Sequence, residues 1–299
     1  MTLRSHLYLA VVGALAPMAV FAVAAAMMLA QDESRVIERE ALGRARAAMT
    51  AIDAHLAASI DALETLATSP ALEAGDVRAF HAESQRVLRT QPAWANIGLA
   101  TPDRVQLTNA IYSYGKPETL TPADEPSFVS AVRERRPGVG SVAPGTAVRN
   151  PTARLRVPVV YNEEVRYVLS APLNLKYLAE LLQAQDLPAG WAIGLSDRER
   201  QIVSRIPLAA AGIPISDAMR EALERDAQGW FRTRTMEGAP AYTAYVTSPF
   251  SGWVLGIAVP ARAVEGESRR VYALLAAGIA AALAAGLLIA WLAARRIPQ

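Results

Sequence analysis

Two arginines are separated by one residue in a strand-like segment, ARLRVPVVY, that runs from position 153 to 161. Side chains of a β-strand alternate between its two faces, so Arg154 and Arg156 are predicted to share one face. Two guanidinium groups at that spacing can hold a carboxylate through paired N–H donors. The alternative is that both arginines are solvated charges on an exposed face. The chemistry that this segment favours is recognition of a small anion.

The sequence contains none of the patterns that commonly mark an enzyme. It has no G-x-S-x-G nucleophile motif, no H-E-x-x-H zinc motif and no Gly-rich phosphate or dinucleotide loop. It has no cysteine, and His6, His55 and His81 are too far apart along the chain to suggest a metal cluster. We therefore expect no catalytic activity, no metal and no cofactor in these residues, and we expect His55 and His81 on helix surfaces.

Apolar residues make up 52% of the chain and gather at its two ends. Residues 7–30 and 271–294 carry no charge, and each stretch exceeds the roughly 20 residues that cross a bilayer as a helix. Both are predicted to be transmembrane helices. A cleaved signal peptide is the alternative for the first, because residues 24–26 are small.

Charge distribution bears on both the membrane topology and the partners. Arg4 precedes the first predicted span, and Arg295 and Arg296 follow the second, so both chain ends are predicted to be cytoplasmic. Residues 31–270 would then lie outside the inner membrane, in the periplasm, as the soluble part of a two-pass protein. The 30 basic and 28 acidic residues are interleaved, so nucleic acid is not an expected partner.

The second predicted span carries a row of small residues. These residues, spaced four apart, are Gly278, Ala282, Gly286 and Ala290. Small residues at this spacing let two helices approach closely, so the row is predicted to be the contact face of a homodimer. Because the span is rich in alanine, a chance row is the alternative.

Between the spans, the sequence predicts a long amphipathic helix followed by a shorter one. Apolar residues recur from Ile37 to Leu66 at about 3.6-residue spacing, with charged residues between them. Pro70 is predicted to end this helix. Asp76 is predicted to cap the second helix, which should stop before Pro92.

The next region contains an internal repeat. WANIGLATPDRVQL, from Trp94, resembles WAIGLSDRERQIV, from Trp191, and YVLSAP, from Tyr167, corresponds to WVLGIA, from Trp253. Two hairpin patterns lie between these motifs, with turns at 162–164 and 236–238. Each repeat is predicted to be an antiparallel sheet with flanking helices, with Trp94 and Trp191 as core residues.

This ordered layout resembles the double Cache family, the PAS-like extracellular sensors of bacterial histidine kinases, chemoreceptors and cyclases. The resemblance implies an α+β fold with a long N-terminal helix and two PAS-like antiparallel-sheet modules between two transmembrane helices. The implied segments are a cytoplasmic start at 1–6, helices at 31–91, a membrane-distal module at 92–186, a membrane-proximal module at 187–262, a signalling helix and second span at 263–294, and a cytoplasmic linker from 295 to 299.

The resemblance also implies where a ligand binds. In this family small ligands usually bind the membrane-distal module, between the sheet and its covering loops. Here that region contributes Asn109, Tyr112 and Tyr114 beside Arg154 and Arg156, although packing of the two tyrosines on the sheet is the alternative. The amino-acid-binding branch carries an Arg-x-Trp motif, which does not occur near the first tryptophan of the repeat. A small carboxylate is therefore the expected ligand.

The leading functional hypothesis is the ligand-sensing input of a two-component sensor of the histidine-kinase type. It would act as a homodimer, with the kinase or another output module attached in cis after the linker. A chemoreceptor or diguanylate cyclase with the same input is the nearest alternative. A membrane-tethered envelope protein or enzyme is an alternative from a different class.

Overall fold

A computed structural model of the chain describes residues 3–115, 118–119, 125–144, 151–207 and 210–295. The chain divides into two compact units, one formed by residues 41–259 and the other by residues 1–40 and 260–299. The helices are α1 (Leu3–Ala67), α2 (Pro70–Glu73), α3 (Val77–Leu88), α4 (Glu125–Glu134), α5 (Leu175–Gln183), α6 (Asp217–Arg225) and α7 (Ala261–Arg295).

The unit of residues 41–259 contains two antiparallel sheets. The strands are β1 (Gly98–Ala100), β2 (Val105–Asn109), β3 (Glu118–Thr119), β4 (Gly138–Val139), β5 (Arg154–Tyr161), β6 (Glu164–Pro172), β7 (Ala192–Ser196), β8 (Ile202–Ile206), β9 (Gln228–Arg234), β10 (Pro240–Thr247) and β11 (Val254–Pro260). The first sheet has the order β3-β2-β1-β6-β5-β4, and the second has the order β8-β7-β11-β10-β9. The predicted α+β fold with two antiparallel sheets is confirmed.

The helix signals in the sequence match the helices of the structure. In α1 the apolar face from Ala41 to Leu66 is buried, as its 3.6-residue spacing predicts. Pro70 begins the short α2, so α1 ends just before it. The Asp76 carboxylate accepts a hydrogen bond from the Ala79 N–H at 2.9 Å, which confirms the predicted N-cap of α3.

The β5–β6 hairpin supplies both predicted arginines. Its turn residues, Asn162 and Glu163, both have positive φ angles, as a tight hairpin turn requires. A β-bulge follows the turn, because Val160 pairs with Val165 while Val159 pairs with Tyr167. Beyond the bulge the register has moved by one residue, and this shift decides which residues of β6 stand opposite the arginines.

Helix α1 is tied to the second sheet by a buried polar cluster. Asp53 of α1 accepts hydrogen bonds from the Ser248 hydroxyl at 2.8 and 2.9 Å and from the Ser251 hydroxyl at 3.2 Å. Both serines lie in the turn that leads into β11, and both are almost fully buried. Trp253, which follows them, is fully buried in the core.

The other unit contains the N-terminal part of α1 and all of α7. Both predicted spans are helical, since residues 7–30 lie within α1 and residues 271–294 within α7. In the part of the chain that the structure describes, no helix combines the length and the apolar character needed to cross a membrane. The two spans therefore stay predictions.

The small-residue row of the second span lies on α7. Gly278 and Ala282 are exposed, and Gly286 is partly exposed. The side chain of Ala290 lies outside the described residues, as do Met1, Thr2 and residues 296–299 of the predicted termini. The predicted dimer face is therefore neither confirmed nor contradicted.

Candidate functional site

The centre of the first sheet carries a row of paired residues that ends at one of the predicted arginines. Arg156 of β5 pairs with Ser170 of β6, Ser170 pairs with Gly98 of β1, and Gly98 pairs with Asn109 of β2. Directly opposed residues of antiparallel strands project to the same side of the sheet. Gly98 has no side chain, and the Gln106 amide nitrogen lies over it, 3.3 Å from where a Cβ atom would stand.

Arg156 is buried beneath helix α4. Its guanidinium donates to the Ser170 hydroxyl at 2.5 Å and to the Ser127 hydroxyl of α4 at 3.3 Å. The same guanidinium lies over the ring of Phe128 at 5.4 Å from the ring centroid, a distance typical of a cation–π contact. This guanidinium is therefore held in place by two hydroxyl groups and a ring, on the face of the sheet that α4 covers.

Arg154 shares that face, as predicted, but contacts main chain. It is 6% exposed, and its guanidinium donates to the carbonyl oxygens of Thr152 at 3.2 Å and of Ala143 and Pro144 at 3.4 Å. These contacts attach the segment 142–144 to the edge of the sheet. The structure excludes the alternative that the two arginines are solvated, since Arg156 is only 5% exposed.

Asn109, the last residue of β2, projects to the face that carries Arg156, whereas Tyr112 and Tyr114 follow in the next loop. The Asn109 side chain accepts a hydrogen bond from the Ile111 N–H at 3.3 Å and so stabilises its own turn. Tyr112 and Tyr114 are half exposed, and the ring of Tyr114 packs on His81 of α3 at 5.6 Å. None of the contacts between described residues joins these side chains to Arg156. Tyr114 follows the alternative interpretation, since its ring packs against residues of α3.

The expectation that His81 is a surface residue is wrong. His81 is 5% exposed, and its Nδ1 atom forms a hydrogen bond with the hydroxyl of Thr108 in β2. Thr108 and Asn109 are neighbours on a strand, so their side chains project to opposite faces of the sheet. His81 thus lies on the face opposite Arg156, while His55 is exposed as expected.

A buried carboxylate joins the segment next to Arg154 to the second sheet. Asp197 is fully buried, and it accepts hydrogen bonds from the N–H of Val142 at 2.7 Å and the N–H of Gln201 at 2.8 Å. Burial raises the pKa of Asp197, although the hydrogen bonds from these backbone amides oppose the shift. The segment 142–144 is therefore held on one side by Arg154 and on the other by Asp197.

The internal repeat in the sequence is also a repeat in the structure. The Ile-Gly-Leu motifs form β1 and β7, and their partners are β6 and β11, so that Gly98 pairs with Ser170 and Gly194 pairs with Gly256. Both motifs lead into the same tight turn, in which Arg104 and Arg200 have φ angles of 68° and 64°. The two sheets therefore carry equivalent positions at their centres.

Solved structures with this arrangement are sensory domains. The extracellular domain of rpHK1S-Z16, which is assigned as a histidine kinase, has a TM-score of 0.57 and 15% sequence identity, covering 78% of this chain and 96% of that chain. The fold is that of a double Cache sensor. No protein-family model and no curated protein matches the sequence.

Two further similar structures are ligand-binding domains. The ligand-binding domain of Mlp24 with asparagine has a TM-score of 0.59 and 14% identity, covering 80% of this chain and 99% of that one. The ligand-binding domain of the Pseudomonas fluorescens chemoreceptor CtaA with L-isoleucine has a TM-score of 0.59 and 14% identity, covering 79% of this chain and 96% of that one. At these identities the likeness establishes the fold.

Sequence reasoning identified Arg156 but missed the residues around it. Ser170 lies opposite Arg156 only because of the bulge in β6, and a regular hairpin would place Leu169 there. Ser127 and Phe128 belong to α4, for which no helix was predicted. The signal available for α4 was its amphipathic pattern, in which Phe128 and Ala131 are buried three residues apart. Among the described residues, no group of three acidic or histidine side chains is placed to hold a metal ion.

Proposed function

We propose that the chain is the extracytoplasmic ligand-sensing input of a bacterial receptor of the histidine-kinase type. The observation that carries the proposal is the double Cache fold over most of the chain, together with a buried arginine on the covered face of the first sheet. The described solved neighbours are sensory domains, which supports a sensor over an enzyme. A chemoreceptor input is the second candidate, since several neighbours come from chemoreceptors.

The proposed ligand is a small carboxylate that binds at Arg156. The Arg156 guanidinium and the Ser170 and Ser127 hydroxyl groups meet on one face of the sheet. A buried guanidinium flanked by hydroxyl groups matches the geometry and charge of a carboxylate. The neighbours with bound asparagine and L-isoleucine support a small-molecule ligand of this kind. Asn109 lies at the other end of the paired row on this face and belongs to the proposed site, and Tyr112 and Tyr114 follow it in the adjoining loop.

Residues 31–270 are proposed to lie in the periplasm, and this is our first test. The chain has no native cysteine, so a single cysteine at exposed Ser113 reports on its own location. In intact cells, the Ser113→Cys protein should react with a membrane-impermeant maleimide, while the Ser5→Cys protein should react only after the membrane is permeabilised. The reverse pattern of labelling would contradict the proposed topology and with it the sensor function.

The signal is proposed to leave through α7. Helix α7 begins at Ala261, directly after β11 ends at Pro260, so the second sheet and the second predicted span are consecutive in the chain. A ligand that favours one of two states of the sheets would then shift α7 in a dimer.

Replacing Gly286 with Ile is expected to reduce self-association of the second span several-fold, because the larger side chain prevents close approach of two helices at the small-residue row. Self-association is measured with a membrane two-hybrid reporter. Ala284→Ile is the matched control, since this residue lies two positions away and projects from a different side of the helix. Equal losses in both variants would mean that the row reflects only the alanine-rich composition of the span.

A further inference from the structure

The second sheet has a cavity of its own, on the face that carries Gly194 and Gly256. Its volume is about 160 Å³, and it lies between the sheet and helix α6. The apolar residues that line it include Ile215, Met219, Phe231 and Val254. Met219 and Val254 are buried and pack in one apolar cluster, with Phe231 against them. The cavity is therefore part of a built hydrophobic layer.

Two paired glycines form the floor of this cavity. Gly194 of β7 and Gly256 of β11 are directly opposed on the central strands of the second sheet. A Cβ atom at Gly194 would lie 3.7 Å from the nearest atom, in Arg205, and one at Gly256 would lie 3.4 Å from Met219. These are tolerable contacts, so close packing does not require glycine at either position. The Arg205 stem and the Met219 methyl group border the two glycines, and the lack of a Cβ atom at each position widens the cavity between these side chains.

A buried cation closes one end of the cavity. The side chain of Arg205 is 10% exposed, and its guanidinium forms a bidentate ion pair with the Glu237 carboxylate, at 2.6 and 2.9 Å. The side chain of Glu237 is 54% exposed and lies in the turn between β9 and β10. The Arg205 guanidinium holds the pKa of Glu237 at about 2, so the glutamate is ionised at neutral pH.

The two partners of this ion pair differ in burial, which suggests that another carboxylate can replace that of Glu237. The cation is fixed inside the protein and also donates to the carbonyl oxygen of Pro207 at 3.1 Å. The anion comes from the surface, on a short turn at the end of a hairpin. If the Glu237 carboxylate withdraws, the buried guanidinium requires another anion, because an uncompensated buried charge is costly. A carboxylate supplied by a ligand can take the same two N–H donors.

We propose that this cavity binds a small apolar carboxylate about the size of benzoate. Its apolar part lies over Gly194 and Gly256, and its carboxylate replaces that of Glu237 on Arg205. The size follows from the volume, since an apolar cavity of about 150 Å³ accommodates a benzene ring. This cavity lies on the second sheet, and its walls are mainly apolar, so it differs from the Arg156 site in position and in chemistry. The proposal for this cavity does not depend on which ligand binds at Arg156.

Benzoate is the probe, and the protein is the full chain in detergent micelles, studied by titration calorimetry. The expected Kd is about 0.1–1 mM, because the ligand carboxylate exchanges for an existing ion pair and only the apolar contacts add affinity. Glu237→Gln removes the internal competitor, so it should tighten benzoate binding at least about fivefold. Glu224→Gln, an exposed glutamate on α6, is the matched control and should leave the affinity unchanged. Benzamide, which lacks the charge, should bind at least about tenfold more weakly than benzoate.

Filling the floor tests the position of the ligand. Gly194→Val should abolish benzoate binding, and Gly194→Ala should weaken it, because each side chain enters the space that the ring requires. Gly138→Val, in β4 of the first sheet where nothing lies within 4 Å, is the matched control. Thermal melting followed by circular dichroism shows whether each variant is folded. If Gly194→Val does not fold, the comparison uses Gly194→Ala instead.

Three results would overturn the proposal. The first is the absence of saturable benzoate binding to both the native chain and the Glu237→Gln variant. The second is benzoate binding that persists in a folded Gly194→Val variant. The third is an equal affinity for benzoate and benzamide. Benzoate binding that Arg156→Ala removes belongs to the Arg156 site, and only binding that Gly194→Val removes counts for the cavity of the second sheet. A failure of the proposed Arg156 site is therefore distinguishable from a failure here.

Discussion

Replacing Arg156 with Ala is expected to weaken carboxylate binding at least about 30-fold, which corresponds to about 2 kcal/mol. Removal of the guanidinium leaves the bound carboxylate without its buried charged donor, and the Ser170 and Ser127 hydroxyl groups cannot replace it. A thermal-shift screen of small mono- and dicarboxylates on the full chain identifies the ligand. Titration calorimetry of that ligand then compares the native chain with the variant.

The controls separate loss of binding from loss of structure. Arg133→Ala removes an exposed arginine from the end of α4 and should not change the affinity. Arg156→Lys retains the charge but not the planar, paired donors, so it should recover only part of the affinity. If no carboxylate raises the melting temperature, or if Arg156→Ala binds as tightly as the native chain, the anionic ligand site is wrong.

Replacing Asp197 with Ala is expected to lower the free energy of unfolding by about 3 kcal/mol. The change leaves the N–H groups of Val142 and Gln201 buried without an acceptor, and each unsatisfied group costs about 1–3 kcal/mol. Chemical denaturation followed by circular dichroism measures the loss. It should exceed the loss in Asp103→Ala, because Asp103 is exposed in the equivalent turn of the first sheet.

The repeat supplies a sharper variant of the same experiment. Thr101 takes the place of Asp197 in the first sheet, and its hydroxyl accepts from the Val105 N–H at 3.1 Å. Asp197→Thr should therefore keep the bond within the turn and lose only the bond to Val142. Its loss in the free energy of unfolding should be about half of the loss in Asp197→Ala. Equal losses in the Ala and Thr variants would mean that the bond within the turn contributes nothing, and an unchanged stability in the Thr variant would mean the same of the bond to Val142.

Acidification provides an independent measurement on Asp197. Burial raises the pKa of this carboxyl above its ordinary 3.8, so the folded state binds the proton more tightly than the unfolded state does. The stability linked to that proton is fully present below the unfolded pKa and is lost as the pH rises through the folded pKa. Relative to Asp197→Asn, the native chain should gain stability as the pH is lowered from about 7 to about 4. Parallel stability curves would contradict a raised pKa.

Much of the fold was predictable because local signals fix it. The apolar spacing of α1, the Asp76 cap and the two hairpin turns each act within a few residues of the chain. The repeat predicted that β1 and β7 are equivalent, and the pairing of Gly98 with Ser170 and of Gly194 with Gly256 confirms this. Trp94 is buried as predicted, while Trp191 is only partly so.

The surroundings of the candidate site were not predictable, because they depend on contacts between distant segments. A single bulge residue in β6 decides whether Ser170 or Leu169 lies opposite Arg156, and no local pattern announces it. His81 is buried because its ring meets Thr108, which is 27 residues away in the chain. Arg154 has the residue type of a ligand contact, yet among the described residues its guanidinium donates to three backbone carbonyl oxygens.

The matching turns carry a record of descent. Arg104 and Arg200 both adopt a left-handed backbone conformation, in which glycine or asparagine is less strained than arginine. Two copies that share this unfavourable choice at one position are most simply explained by duplication of a single ancestral sheet. Since then Thr101 and Asp197 have diverged, and the carboxylate has a second acceptor atom that now binds Val142 of the other copy. At position 197 the second carboxylate oxygen thus adds a contact between the two repeats to the contact within the turn.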